Sequence, residues 1–258
     1  MARSTFYYYL KRFGQPDKNS LVKSEIMAVY HQHKGRYGYR RITTTLKQKG
    51  LTINHKKVAR LMNECGLKSL VRTKKYKSYR GQQGTIADNL LKRDFKATKP
   101  HQKWVTDVTE FAVAGKKLYF SPILDLYNGE IVSYTISERP NFDLIMNMLE
   151  KALTRLPAGS KPILHSDQGW QYQMKFYQER LRKSKIRQSM SRKGNCLDNA
   201  VIENFFAILK SELFYIEEFN SYQSLQKGII DYIHYYNNDR IKQKLKGLSP
   251  VQYRTQAA

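Results

Sequence analysis

Apolar and polar residues follow two different periods along the chain, and the change falls near residue 100. Before it the spacing is helical. "VKSEIMAVYHQHK" (22–34) closes at Gly35, "YRRITTTLKQKG" (39–50) at Gly50, and "NHKKVARLMNECG" (54–66) opens on Asn54 as N-cap and closes at Gly66. In the third segment Val58, Leu61 and Met62 form one buried stripe, while His55, Lys56, Lys57 and Arg60 decorate the other side near its start. The opening "MARSTFYYYLKR" reads as the last turns of a further helix. From residue 103 the pattern becomes that of strands: "KWVTDVTEFAV" (103–113), a turn at "AGKK", "LYFSPILDLY" (118–127), a hairpin signal at "NG" (128–129) and "EIVSYTIS" (130–137). A helix (141–156), a strand (161–167), a helix (173–185) and a short strand (186–191) follow. The next helix carries Val201, Ile202, Phe205, Ile208, Leu209 and Leu213 on one broad side, with Glu203 opposite and Lys210 two turns along. A long helix (221–240) and "LKGLSPVQYR" close the chain.

Three antiparallel strands followed by helix, strand, helix, strand and helix is the order of the ribonuclease-H-like fold. The sequence thus predicts an α/β catalytic core with a small all-α helix-turn-helix domain in front and a helical C-terminal tail. The expected division is 1–20 (a helical remnant), 21–70 (helix-turn-helix), 71–99 (basic linker), 100–215 (core) and 216–258 (helical extension).

Charge changes the picture next. The net charge is +25 over 258 residues, and residues 1–100 hold 24 Lys+Arg against 5 Asp+Glu. A front end that basic needs a polyanion. No apolar run approaches the ~18–20 residues of a membrane span, so nucleic acid is favoured over membrane. The two cysteines, Cys65 and Cys196, form no Cys-x-x-Cys pair, which argues against a zinc site or disulfide framework and fits a reducing cytoplasm. Two readings stand for the three front helices: a DNA-binding module whose last helix enters the major groove, or a bundle with a solvated basic face. The charge asymmetry favours DNA, with Arg40, Arg41, Asn54, Lys56, Lys57 and Arg60 as the candidate contacts. The segment "LVRTKKYKSYRGQQG" (70–84), with Tyr76 and Tyr79, suits either a backbone-tracking strap that stacks on bases or a solvated linker.

Three carboxylates suggest chemistry. Asp107 lies inside the first strand among Val105, Thr106, Val108 and Thr109, where an unpaired charge is costly. Asp167 ends the fourth strand in "ILHSDQG". If those strands are neighbours, the two aspartates face one site, and Glu203 on the polar side of its helix completes it. Three such charges repel one another, and divalent cations are the natural remedy. Oxygen-only ligands favour Mg²⁺ or Mn²⁺, two of which can serve one phosphodiester displacement.

Between Asp107 and Asp167 lie 59 residues, and between Asp167 and Glu203 lie 35. With "NLLKRDFKATKPHQKWVTDVTEF", "LHSDQGWQY", "SRKGNCLDNAVIENFFAILKSEL", the tail "YYNNDRIKQKLKGLSPVQYR" and the front "GRYGYRRI" and "NHKKVARLM", the chain resembles the second-frame (OrfB) transposases of insertion sequence family three. These belong to the transposase and retroviral integrase superfamily named for its Asp-Asp-Glu triad. The resemblance implies that Asp107, Asp167 and Glu203 are the metal-binding catalytic triad. It also implies that Lys210 contacts the element's terminal DNA; Asn199, at the start of the Glu203 helix, is a further candidate DNA contact by its position. It implies copy-out–paste-in movement on terminal inverted repeats and target DNA by a homo-oligomer in the cytoplasm at the nucleoid. An upstream-frame OrfA portion would be fusion or partner, absent ahead of Met1. Lys242 stands where many members have a histidine, and no role is carried to it. A non-catalytic DNA-binding regulator and a structure-selective nuclease are the rival classes.

Other residues near the triad have plainer readings. Asp125 suits a structural acid better than a fourth carboxylate, and His165 suits either packing or the positioning of water. Asp198 and Asn199 are expected to cap the Glu203 helix, and Trp104 and Trp170 to pack beside the site.

Overall fold

The computed structural model describes residues 3–12, 17–70, 86–192 and 196–256. The chain divides into two compact units, Met1–Val71 and Arg72–Ala258. Most of the basic linker segment, including Tyr76 and Tyr79, lies outside the described residues.

The front unit holds helices α1 (Arg3–Arg12), α2 (Ser20–Gln32), α3 (Tyr39–Gln48) and α4 (His55–Glu64). The stops act as the sequence predicts. Gly50 and Gly66, at φ 89° and 70°, take the left-handed conformation that ends α3 and α4. Asn54 caps α4, its side-chain oxygen accepting the Lys56 N–H at 2.8 Å. Ile26 and Val29 of α2, Ile42 and Leu46 of α3, and Val58, Leu61 and Met62 of α4 are buried. Each such side chain contributes roughly 1.5–3 kcal/mol by leaving water, which suffices to hold three short helices together.

The second unit is built on one sheet. Its strands are β1 (Lys103–Thr106), β2 (Thr109–Val113), β3 (Lys116–Asp125), β4 (Ile131–Ser137), β5 (Ile163–Ser166) and β6 (Arg187–Met190). β3 pairs antiparallel with β4 on one side and with β1 and β2 on the other, and β5 and β6 extend the sheet in parallel from β1. The first and fourth predicted strands are thus neighbours, within the order of elements expected of the ribonuclease-H-like fold. Helices α5 (Phe142–Arg155) and α6 (Lys175–Lys183) cover one face, where Trp104, Ile123 and Leu164 meet Ile145, Met148 and Leu181. Helices α7 (Ala200–Leu209) and α8 (Tyr222–Asn238) cover the other, where Val105, Leu124 and Ile163 meet Ile202, Phe205, Ile229 and Tyr236. Trp104 and Val105 are neighbours that bury on opposite faces, as strand alternation requires. A short α9 (Pro250–Gln256) follows α8.

Three local departures from the expected elements matter. The predicted first strand is broken at Asp107 and Val108, because the continuous register sets Asp107 opposite Pro122, which has no N–H to give the ladder. The Thr106 hydroxyl takes the Pro122 carbonyl instead, at 2.8 Å. A 3₁₀ turn at Trp170–Gln173 precedes α6. Finally, the helix that carries Glu203 changes to π winding over Lys210–Phe214. That turn buries Glu212 against Arg240, whose Nε and Nη2 donate to its two oxygens at 2.7 and 2.6 Å. The Tyr232 hydroxyl adds a third bond to Glu212 at 2.9 Å.

Candidate active site

Val105 and His165 are partners across the parallel β1–β5 pair. Asp107 and Asp167 each lie two residues further on, just past the ends of their strands, so side-chain alternation keeps both on the face that α7 covers. Backbone donors orient both: the Val108 N–H reaches Asp107 Oδ1 at 2.7 Å, and the Gly169 N–H reaches Asp167 Oδ1 at 2.9 Å. From α7, Asn199 Nδ2 donates to Asp107 Oδ2 at 3.2 Å. Glu203 follows Asn199 by one helical turn on the same side. Asp107, Asp167 and Glu203 are all half-buried.

The electrostatics follow from that crowding. Burial pushes the Asp107 carboxyl well above the ordinary carboxylate range; the charges of Asp167 and Glu203 push it the same way, against the Val108 N–H. Burial also raises Asp167, and the Gly169 N–H opposes it. Burial raises the Tyr172 phenol, and so do the charges of Asp107 and Asp167. Among the described residues no three His, Cys, Asp or Glu side chains are drawn together as a metal-binding group. The repulsion that Asp167 and Glu203 exert on Asp107 is what a bound cation would relieve. Their donor set is oxygen only, and the Asn199 Oδ1 is a buried acceptor with no hydrogen-bond partner among the described residues. That chemistry fits a hard divalent cation.

The neighbours hold the site in shape. His165 is fully buried; its Nε2 donates to the Asp198 carbonyl at 3.0 Å, and its Nδ1 lies 2.8 Å from the Ser189 hydroxyl. Burial lowers its pKa, in keeping with a packed histidine. Asp198 does not cap α7. Its buried carboxylate takes Arg192, Arg93 and Asn89. Asn199 stands at the N-cap position without a capping bond, because its amide is turned to Asp107. Asp125 pairs with Trp104, short of Asp107, and accepts the His101 and Tyr127 N–H groups at 2.7 and 2.9 Å, a structural acid. Trp104 packs as expected, but Trp170 is 52% exposed on the turn after Asp167.

Models of the integrase core domain match residues 97–196 and 203–257, and an HTH-like domain model matches residues 16–75. The chain is 33% identical over 260 residues to the transposase InsF for insertion sequence IS3A of Escherichia coli K12, covering 98% of this chain and 90% of that one. It is 56% identical over 254 residues to the putative transposase InsK for insertion sequence element IS150 of the same strain, covering 98% and 90%. The chain belongs to the family-three insertion sequence transposases, OrfB type. In three dimensions the transposase resembles the simian T-cell lymphotropic virus intasome structure, with a TM-score of 0.52 and 15% identity over 89% of this chain and 74% of that one. At that identity the likeness is one of fold.

The remaining candidate residues of the transposase fall in two places. In the front unit Arg40, Asn54, Lys56, Lys57 and Arg60 are exposed and Arg41 is half-buried over the Tyr37 ring. Arg60 pairs with Glu64, and the Asn54 oxygen is engaged by its cap. In the core, Lys210 is half-buried where the α-helical winding of α7 ends, its ammonium 5.2 Å from the centre of the Phe111 ring. Lys242 donates to the Gly129 carbonyl at 3.0 Å and the Tyr236 hydroxyl at 2.8 Å, tying the tail to the β3–β4 turn. Sequence reasoning missed the Glu212–Arg240 pair. Its signal was an acid at the spacing of the buried stripe, three residues after Leu209 and seven after Phe205.

Proposed function

We propose that Asp107, Asp167 and Glu203 hold two divalent cations, Mg²⁺ or Mn²⁺, and that the transposase cuts and joins DNA at that point. Two such ions about 3.5–4 Å apart, when bound, stabilise the attacking and leaving oxygens of an in-line displacement. The chain's own residues supply orientation. Asp107 and Asp167 enter from neighbouring strands, each fixed by a backbone N–H, and Glu203 enters from the helix across them. Lys210, where the α-helical winding of α7 ends, offers a positive charge to the phosphates of the terminal strand.

Water first displaces the 3′ oxygen at the element's end, which leaves as a free 3′-hydroxyl. That hydroxyl then displaces an oxygen at a second phosphodiester. Each step exchanges one oxygen for another at phosphorus, so no covalent enzyme intermediate is needed. In this reading one element end attacks the same strand beside the other end, and a circular intermediate later integrates. The helix-turn-helix unit grips terminal repeats through Arg40, Arg41, Asn54, Lys56, Lys57 and Arg60. The chain acts as a homo-oligomer on DNA in the cytoplasm, with the upstream-frame portion as fusion or partner.

The observation that carries this proposal is the shared register of Asp107 and Asp167 beyond the Val105–His165 pair, under the helix that bears Glu203. Cleavage and joining of DNA carrying the element's ends should proceed with Mg²⁺ or Mn²⁺. Ca²⁺ should support DNA binding without turnover, because its longer, looser coordination misplaces the reacting oxygens. Full activity after exhaustive chelation would overturn the proposal.

A further inference from the structure

Asn199 behaves unlike a helix cap. It occupies the N-cap position of α7, where an Asn side chain ordinarily accepts a first-turn N–H and contributes about 1 kcal/mol. Here it makes no such bond. It is 4% exposed, its Nδ2 donates to Asp107 Oδ2 at 3.2 Å, and its Oδ1 is buried without a hydrogen-bond partner among the described residues. A buried, unsatisfied amide oxygen costs roughly 1–3 kcal/mol. A local rule broken twice at one side chain, both times beside a candidate catalytic carboxylate, marks a functional constraint.

The backbone beneath it is held firmly. The Asp198 carboxylate takes Arg192, Arg93 and Asn89, and its carbonyl takes the His165 ring. Asn199 is therefore presented to Asp107 by a neighbour pinned from three directions: the segment before β1, the end of β6 and strand β5. The residue type suits the place. A carboxamide gives one donor to fix a carboxylate and one acceptor for something else, and it adds no fourth negative charge.

We propose that Asn199 is a positioning residue of the cation site. Its Nδ2–H sets the rotation of the Asp107 carboxylate, and its Oδ1 accepts a hydrogen bond from the water that a hard cation retains in its shell. This rests on the triad proposal above and deepens it.

The test is a Mn²⁺ titration of the full chain, followed by electron paramagnetic resonance of free Mn²⁺ and by the shift in thermal midpoint. The parent is compared with Asn199→Ala, Asn199→Asp and Asp167→Asn, each checked for folding by circular dichroism. Loss of an outer partner of a metal ligand typically weakens binding about 10–100-fold. Asn199→Ala is expected to lose affinity on that scale. Asn199→Asp keeps the shape and the acceptor but loses the Nδ2–H and sets a like charge against Asp107, so it should melt lower than the parent under chelation and recover that loss as Mn²⁺ is added. An unchanged affinity in Asn199→Ala, beside loss of binding in Asp167→Asn, overturns the role of Asn199 and spares the triad. Undiminished Mn²⁺ binding in Asp167→Asn overturns the triad and this inference with it. If Asn199→Ala does not fold, Asn199→Asp decides: a midpoint under chelation no lower than the parent's counts against the proposal.

Discussion

Replacing Arg240 by Met would strand a buried carboxylate next to the π turn that begins at Lys210. The Arg240 and Glu212 side chains are 3% and 6% exposed, and Arg240 grips both carboxylate oxygens at 2.6–2.7 Å. In Arg240→Met the Tyr232 hydroxyl, at 2.9 Å, stays on the carboxylate but carries no charge to balance it. Breaking a buried pair in this way costs about 3–5 kcal/mol. In a unit of this size each kcal/mol moves the midpoint by roughly 2–4 °C, so the melt should fall by about 6–20 °C. Adding Glu212→Gln removes the stranded charge and keeps an acceptor for Tyr232, so the double variant should regain at least half of the loss. Calorimetric melts of the parent, both single variants and the double variant measure this directly. An Arg240→Met midpoint within about 2 °C of the parent would refute the reasoning, and so would a double variant no more stable than Arg240→Met.

Lys210→Ala is expected to slow end joining strongly while leaving Mn²⁺ affinity close to the parent's, because misplacement of about 1 Å can cost ~10²-fold in rate. Lys210→Arg should recover part of the loss, and joining by Lys210→Ala at the parent's rate would return the residue to a packing role over Phe111. Neutralising Lys56, Lys57 and Arg60 together should weaken DNA binding and reduce the slope of log K against log salt by about one unit for each phosphate no longer neutralised. An unchanged slope would make that face of α4 a solvated one.

What was legible in the sequence was what depends on near neighbours. The stripe of Val58, Leu61 and Met62, the cap at Asn54 and the stop at Gly66 all involve residues within a few positions of one another, and all appear as expected. The candidate triad was legible through its spacing. The register of Val105 with His165 explains in physical terms why those two aspartates approach. What was not legible depends on partners far along the chain. The strand break at Asp107 comes from Pro122 lying opposite it, and the π turn accompanies a glutamate that pairs with Arg240, 28 positions away. Asn199 and Asp198 read locally as caps, but Asp107, 92 positions from Asn199, and Arg93, 105 from Asp198, draw them off, with Arg192 nearer by. Trp170, expected to pack, stands exposed because the 3₁₀ turn after Asp167 begins with it.

The central claim is that three carboxylates, two just past the ends of β1 and β5 and one on α7, form a single metal-dependent catalytic point. The most direct measurement compares the parent with Asp107→Asn, Asp167→Asn and Glu203→Gln, each assayed for DNA binding and for cleavage and joining of element ends in Mg²⁺. An amide keeps the shape of the side chain and removes the charge that would balance a cation. All three variants should bind DNA much as the parent does and neither cut nor join it. A purified variant that joins ends at close to the parent's rate would contradict the account.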